Sequence, residues 1–276
     1  MGRYYALHDQ EPAAVADAIE AHYRPRFAGD RLPEGPIACA VALADKLDAI
    51  AGLFSIGQQP TGDKDPFGLR RAALGVVRIL VENKLQLSIL ELAKAAFEPF
   101  KSQAPVELVE FVFDRFAGYL KEQGFSTLQI DSVLSMQPTS LAVVLQQLEA
   151  VKAFQALPEA ESLAAANKRI VNILKQAEAK GESFAGAASS ELKEPAEKAL
   201  LEALQKTNAS AKLLYEKGDY TGYLKSFSIL KAPVDLFFEK VMVMVDDKKL
   251  RSERLALLHD LRESMNRVAD LSRLAT

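Results

Sequence analysis

The 276-residue sequence has no tryptophan, one cysteine and three histidines. Because Cys39 is the sole thiol, no disulfide can form within the chain, and we expect its sulfur to fill the core inside the apolar run 37–43. No run reaches the roughly 18 uncharged apolar residues of a membrane-spanning helix, and no apolar secretion signal follows the N-terminus. We therefore expect a cytoplasmic protein without a membrane partner.

The sequence also has no large excess of positive or negative residues. The net charge is −3, with carboxylates in excess over residues 1–150 and cations in slight excess over residues 151–276. A strong electrostatic footprint for nucleic acid would be more basic than this, although local clusters can bind phosphate while the total stays acidic. Composition therefore neither indicates nor excludes RNA binding.

The usual catalytic motifs are absent as well. The sequence contains no glycine-rich phosphate loop, no Cys/His metal cluster and no Gly-x-Ser-x-Gly nucleophile motif. We therefore expect that the chain alone is not catalytic and binds no cofactor of its own.

Helix-forming residues are abundant. Ala, Leu, Glu and Lys dominate, apolar residues recur at intervals of three and four, and few segments alternate with period two. This pattern predicts an all-α fold of two helical domains. Proline and glycine breaks place the predicted parts at residues 1–103, a connector at 104–158 and a bundle of five or six helices at 159–276, with a loop of small residues at 181–190.

Proline and aspartate mark several predicted helix starts. Asp65 is expected to cap a helix whose first residue is Pro66, and Asp247 to stand at the start of the last helix. The helix that Pro12 opens is predicted to bury Val15, Ala18, Ile19 and Tyr23. The helix that Pro233 opens is predicted to bury Leu236, Phe237, Val241 and Met244.

One candidate metal site begins at His8 and Asp9. Adjacent His and Asp are typical of HD phosphohydrolases, in which Asp45 or Asp48 would supply the last ligand. Such a site also needs an earlier histidine, and only seven residues precede His8. We therefore expect no metal, and interpret the pair as solvated residues at a helix end.

Two further candidates lie in the first predicted domain. Charged residues 45, 46 and 48 interrupt an otherwise apolar helix, and an ion network with Arg70 or Arg71 is the preferred interpretation because buried charges need partners. Lys64 stands beside a predicted helix N-terminus, where outward N–H groups favour anions. With Arg70 and Arg71 it forms a candidate phosphate contact, and solvated arginines at a helix cap are the alternative.

Two cationic sets lie in the second predicted domain. Lys168, Asn172 and Lys175 share one helix face beside Arg169, and lysine with asparagine suits phosphate contact and base reading in single-stranded RNA. The other set surrounds Asp246 and Asp247, and consists of Lys240, Lys248, Arg251 and Arg254. Arg254 falls on the apolar stripe of the last helix, where it either stacks on a base or pairs internally with Glu239 or Asp246, the second being preferred.

Several long motifs resemble one family, the β subunit of bacterial glycyl-tRNA synthetase. They occupy residues 1–6, 23–30, 42–48, 62–75, 164–169 and 233–248. Because family members are much longer, we expect this chain to be a C-terminal piece, with an N-terminally truncated HD-like domain followed by an anticodon-binding bundle.

The resemblance implies a function. In an α2β2 ligase the α subunit would carry the catalytic core and use ATP and Mg²⁺, while this chain binds glycine tRNA, including its anticodon, and no DNA. Carried over by position, the expected tRNA-binding residues are Lys168, Arg169, Asn172, Lys175, Lys240, Asp246, Asp247, Lys248, Arg251 and Arg254, with Lys64, Arg70 and Arg71 elsewhere. Asp246 or Asp247 would accept from the N4 amino group of an anticodon cytosine, or instead cap the last helix.

Two alternatives stay open beside the tRNA hypothesis. One is a metal-dependent phosphohydrolase of the HD type, built on His8, Asp9 and Asp45. The other is a helical scaffold that docks a synthetase subunit.

Overall fold

The computed structural model describes residues 1–101, 106–182, 184 and 192–275. Over these residues the secondary structure is helical with no strand, apart from two isolated bridges, which confirms the predicted all-α class. In the same part of the chain, none of the helices combines the length and the hydropathy needed to cross a bilayer. The predicted loop at 181–190 lies largely outside the described residues.

The chain divides into two compact units. Unit 1 comprises Met1–Phe125 and Pro138–Leu145, and unit 2 comprises Ser126–Gln137 and Gln146–Thr276. The domain boundaries expected from the sequence, at 1–103, 104–158 and 159–276, stay a prediction. The helices of unit 1 are α1 (Gly2–His8), α2 (Ala13–Ala21), α3 (Pro36–Ser55), α4 (Leu69–Glu82), α5 (Ile89–Phe97) and α6 (Val106–Glu122).

Helices α3 and α4 form the centre of unit 1. Ile50 and Ala51 of α3 and Val76 of α4 are fully buried. The two helices approach closely at Gly75, because a Cβ there would lie 2.8 Å from the Cε atom of Lys46. A side chain at position 75 would displace the Lys46 stem, so glycine leaves the space in which this buried lysine lies.

The predicted ion network around Lys46 is wrong. Asp45 and Asp48 are exposed, while Lys46 is buried and donates from Nζ to the backbone oxygen of His22 at 2.9 Å. Burial lowers the pKa of the Lys46 ammonium. The buried ammonium is satisfied by a carbonyl, and the carboxylates of Asp45 and Asp48 lie on the solvent side of α3, so neither needs Arg70 or Arg71 as a partner.

The predicted buried face of α2 and the predicted start of α4 need correction. Ala18 is buried as expected, but the other buried residues of α2 are Ala16 and Ala21, whereas Val15, Ile19 and Tyr23 are 36% to 64% exposed. Small side chains let neighbouring helices approach, so the larger apolar residues misidentified the face. The predicted cap residue of α4, Asp65, accepts from the backbone N–H of Leu69 at 2.8 Å and Arg70 at 3.0 Å, but the helix begins at Leu69 and not at Pro66.

Among the described residues, unit 2 contains seven α-helices, one of them only in part. They are α7 (Thr127–Leu134), most of α8 (Val144–Gln155), α9 (Ala160–Ala179), α10 (Pro195–Glu216), α11 (Tyr220–Ser226), α12 (Lys231–Lys240) and α13 (Lys248–Met265), with a 3₁₀ segment at Leu271–Leu274. Asp247 caps α13 by accepting from the backbone N–H of Lys249 and Leu250 at 2.9 and 3.2 Å. These bonds lower the pKa of the Asp247 carboxyl.

The helix expected to start at Pro233 begins two residues earlier and ends at Lys240. Val241 is extended, with φ −114° and ψ 122°, so the chain leaves the helix before the end of the predicted stripe. Phe237 and Val241 are buried as expected, whereas Leu236 and Met244 are 42% and 37% exposed.

A buried ion pair joins α10 to α13. Glu197 is fully buried and Arg254 is 5% exposed, and the Nε of Arg254 donates to the Glu197 carboxylate. The other carboxylate oxygen accepts from the backbone N–H of Lys193 and Glu194 at 2.8 and 2.9 Å. The predicted internal pairing of Arg254 is therefore present, but its partner is neither Glu239 nor Asp246.

The buried pair generates a stability prediction. Glu197→Ala leaves the Arg254 guanidinium buried without a counter-charge, so we expect a loss of about 3–5 kcal/mol in the free energy of unfolding of unit 2. Urea unfolding measures this loss against Glu202→Ala, an exposed position on the same helix. The double variant Glu197→Leu/Arg254→Met should recover most of the stability. Equal urea midpoints for Glu197→Ala and Glu202→Ala would refute the role of the pair.

Candidate nucleic-acid interface

A cleft of about 800 Å³ opens in unit 2 between α9, α10, the end of α13 and the segment that follows it. Four cations and two carboxylates line this cleft, which gives it a positive balance in a chain that is acidic overall. The cations are Lys175, Lys212, Arg262 and Arg267, and the carboxylates are Glu263 and Asp270. Two amides, Asn208 and Asn266, also line it.

Two lysines bring mobile positive charge to the cleft. Lys175 on α9 is exposed, and the Lys212 side chain on α10 is 70% exposed. The Nζ of Lys212 lies 3.9 Å from a Glu216 oxygen, a surface pair that contributes little and can rearrange. Both amines can therefore turn toward an anion in the cleft.

Of the two arginines, Arg262 makes a surface ion pair, and Arg267 rests on an aromatic ring. Arg262 donates from Nη2 to Glu263 at 2.7 Å, and the Arg267 guanidinium lies 4.1 Å above the ring centroid of Tyr215. A guanidinium that rests on an aromatic face keeps its in-plane N–H groups free for phosphate or base edges. Arg267 with Tyr215 is therefore a preorganised donor at the rim of the cleft.

A buried amide pair fixes the segment that carries Arg267. Asn167 on α9 is fully buried and donates to the Asn266 side chain at 2.6 Å, and the reverse bond is 3.2 Å. The Asn266 oxygen also accepts from the backbone N–H of Leu271 at 2.9 Å. This arrangement satisfies the buried amides and sets the path of the chain from α13 into the 3₁₀ segment.

Tyr223 ties α11 to the end of α13 beneath the same cleft. Its hydroxyl donates to the Ser264 carbonyl at 2.5 Å, and its ring packs edge-on against Tyr215. Burial raises the pKa of Tyr223 to about 12. The phenol is therefore a neutral structural donor at any physiological pH.

The first predicted cationic set is exposed on α9, as the sequence pattern indicated. Lys168 donates to the Ala275 carbonyl at 3.1 Å, the Arg169 guanidinium lies 4.2 Å from the Phe238 ring centroid, and Asn172 is exposed. Of this set, Lys175 lines the cleft.

Much of the second predicted set is occupied by internal bonds. Arg251 donates to the Val245 carbonyl at 2.5 Å and pairs with Glu182 at 2.6 Å, and Arg254 is the buried residue described above. Lys240 pairs with Glu239 at 2.7 Å, whereas Asp246 and Lys248 are exposed. Their contacts with tRNA stay a prediction, and Asp247 is engaged as the cap of α13.

The tRNA candidates of unit 1 include Arg70 and Arg71, which are neighbours in the first turn of α4 and line one groove. Lys64 and Arg71 are exposed, and Arg70 donates to the Gly62 carbonyl. His8, Asp9 and Asp45 are exposed, and the described residues bring no three His, Cys, Asp or Glu side chains together as a metal site. The phosphohydrolase hypothesis therefore gains no support from this part of the chain.

Sequence reasoning missed most of the cleft. Lys212, Arg262 and Arg267 lie on separate segments, and nothing in their local spacing distinguishes them from solvated surface residues. The one available signal was the polar end of the last helix, where Arg262, Asn266 and Arg267 follow a long apolar stripe. Their convergence depends on how α9, α10 and α13 pack.

Comparison with known proteins gives two family matches. The family described as the glycyl-tRNA synthetase beta subunit matches residues 1–135, and the DALR anticodon binding domain matches residues 163–271. The relatives include the glycine–tRNA ligase beta subunits of Janthinobacterium sp. (strain Marseille), 55% identical over 278 residues, and Thiobacillus denitrificans, 54% identical over 279 residues. All of this chain is covered in both alignments, which span 39% and 40% of those relatives.

The helical fold and the two matches together define a chain of the aminoacyl-tRNA synthetase class that carries an anticodon-binding domain. The chain belongs to the family of glycine–tRNA ligase β subunits, as the motifs in its sequence had indicated. It spans about two fifths of the length of those relatives.

The raised pKa of Tyr223 predicts how stability depends on pH. Below about pH 10 the phenol is neutral in both states, whereas between about pH 10 and 12 it ionises in the unfolded chain first. The contribution of Tyr223 is therefore complete below pH 10 and is lost as pH rises toward 12. Urea unfolding at pH 8 and 11 should show a smaller decline for Tyr223→Phe than for the parent, while Tyr4→Phe, an exposed control, declines like the parent. Identical declines for the parent and Tyr223→Phe would contradict this assignment.

Proposed function

We propose that this chain binds glycine tRNA as part of glycine–tRNA ligase, and that unit 2 recognises the anticodon. The observation that carries the proposal is the cationic cleft, which lies almost entirely within residues 163–271, the span of the anticodon-binding match. Relatives that share half of its sequence are named as β subunits of this ligase.

The chemistry of the cleft suits a single-stranded loop of RNA. Lys175 and Lys212 can meet backbone phosphates, because flexible ammonium groups act as point charges for phosphate. Unstacked bases bind through aromatic or guanidinium planes and through amide side chains on their edges. Arg267 with Tyr215, beside Asn208 and Asn266, offers both kinds of group at one rim.

The partners of the whole ligase form part of the same proposal. We propose an α subunit as the protein partner in an α2β2 enzyme in the cytoplasm, with ATP and Mg²⁺ used at the catalytic core of that subunit. This chain would support glycylation by holding tRNA, with no DNA or membrane partner. The absence of phosphate-loop and nucleophile motifs from its sequence agrees with this division of labour.

Removal of a cation from the cleft should weaken tRNA binding, because each cation removed takes away a contact with a phosphate. Lys212→Ala and Arg267→Ala should each lower affinity for glycine tRNA about threefold or more and reduce the magnitude of the salt slope by about 1. Fluorescence anisotropy at several salt concentrations measures both quantities. Lys206→Ala is the matched control, since Lys206 is exposed on the same helix and does not line the cleft. Equal effects at positions 206 and 212 would argue against the cleft.

Anticodon recognition is tested with RNA variants. The parent chain should bind glycine tRNA more tightly than a transcript in which the cytosines at the second and third anticodon positions are replaced. Each of these bases should contribute about 1–3 kcal/mol to the binding free energy, as bidentate base contacts commonly do. Replacement of Arg267 should shrink this preference. Equal affinity for the two transcripts would sink the proposal that unit 2 reads the anticodon.

A further inference from the structure

A groove of about 330 Å³ runs between α4 and α6 on unit 1. Its polar lining consists mainly of four cations, Arg70, Arg71, Arg115 and Lys121, with carboxylates at positions 114 and 122. The groove lies within residues 1–135, outside the span of the anticodon-binding match. It gives unit 1 a positive balance at one place, although residues 1–150 are acidic overall.

Arg115 carries the strongest sign of a missing ligand. Its Nη2 group donates to the neighbouring carboxylate of Asp114, whereas its Nε atom is buried and has no hydrogen-bond acceptor among the described residues. A buried donor without an acceptor is costly and rare in folded proteins, since burial removes the water that would otherwise bind it. The Arg115 side chain as a whole is 34% exposed, so a turn of the guanidinium would bring this N–H to an acceptor that enters the groove.

The neighbouring cations define the chemistry of that acceptor. Arg71 and Lys121 are exposed, and neither has a carboxylate within ion-pair distance in the part of the chain that the structure describes. Arg70 is committed to the Gly62 carbonyl. Two free cations beside an unsatisfied guanidinium N–H favour an oxyanion with several acceptor oxygens, and a guanidinium matches phosphate in geometry as well as charge.

We propose that this groove binds a backbone phosphate of tRNA through Arg71, Arg115 and Lys121. The inference rests on the proposed function for the identity of the RNA, but it concerns a second contact that does not depend on the cleft in unit 2. Arg71 was a candidate from the sequence alone, and the structure adds Arg115 and Lys121, which lie 44 and 50 positions further along the chain.

The test uses the chain and glycine tRNA, with Arg115→Gln, Lys121→Ala and the charge-matched control Lys94→Ala. Lys94 is an exposed lysine of α5 that pairs with Glu91 and does not line the groove. Anisotropy titrations over a range of salt should show about threefold or greater weakening for Arg115→Gln and Lys121→Ala, each with a salt slope smaller by about 1, and no such change for Lys94→Ala. Combined with Lys212→Ala, either groove variant should weaken binding multiplicatively, as expected of separate contacts.

A second measurement guards against misfolding of a variant. In the unaltered chain, the Arg115 Nε–H resonance should shift when glycine tRNA is added, and inorganic phosphate at millimolar concentration should shift it in the same direction.

The outcomes separate the two proposals. If Lys212→Ala weakens binding while both groove variants match Lys94→Ala and the resonance does not move with tRNA, the groove proposal is overturned and the proposed function stands. If neither the cleft nor the groove variants weaken binding, both fail. A resonance that responds to inorganic phosphate but not to tRNA would identify a small-anion site and overturn the RNA assignment.

Discussion

The ion pair between Glu197 and Arg254 is the constraint on which the architecture of unit 2 depends. Removing two charges from water is costly, so the pair persists only because every polar atom around it is engaged. Glu197 accepts from two backbone N–H groups at the start of α10, and Arg254 also donates to the Met242 carbonyl at 2.7 Å. The pair thereby joins the first turns of α10, the N-terminal half of α13 and the extended segment before α13.

The cleft lies on the opposite halves of the same two helices. Asn208 and Lys212 stand three and four turns beyond Glu197 on α10, and Arg262 stands about two turns beyond Arg254 on α13. A helix fixed at one end by a buried network carries its other end with little freedom. The Asn167–Asn266 amide pair and the Tyr223 hydroxyl then set the end of α13. Rigid placement of this kind reduces the entropy lost when a ligand is bound.

Local patterns in the sequence were sufficient for the fold class and for much of the helix content, because amphipathic periodicity and acidic caps act within a few residues. Asp247 illustrates this: its capping role could be read from position alone, and the structure places it at the start of α13. The partner of Arg254 could not be read in this way, since Glu197 lies 57 residues earlier and nothing local distinguishes it from the other glutamates of α10. The face of α2 was misjudged for a related reason, because close helix approach favours alanine over larger apolar residues. Periodicity predicts helices but does not distinguish one helical family from another, and the family was identified from the resemblance of long motifs.

Under the proposed function, the division of charge in this chain accounts for selective binding of RNA by an acidic protein. A uniformly basic surface attracts any polyanion, whereas a net charge of −3 disfavours RNA everywhere except at sites where cations are held together. The cleft of unit 2 and the groove of unit 1 are both modest sites, each with four cations opposed by two carboxylates. Under both proposals, either site alone binds RNA weakly at physiological salt, and contacts that one RNA makes at both sites combine in affinity. A short single-stranded RNA that occupies one site is then bound less tightly than an RNA that occupies both.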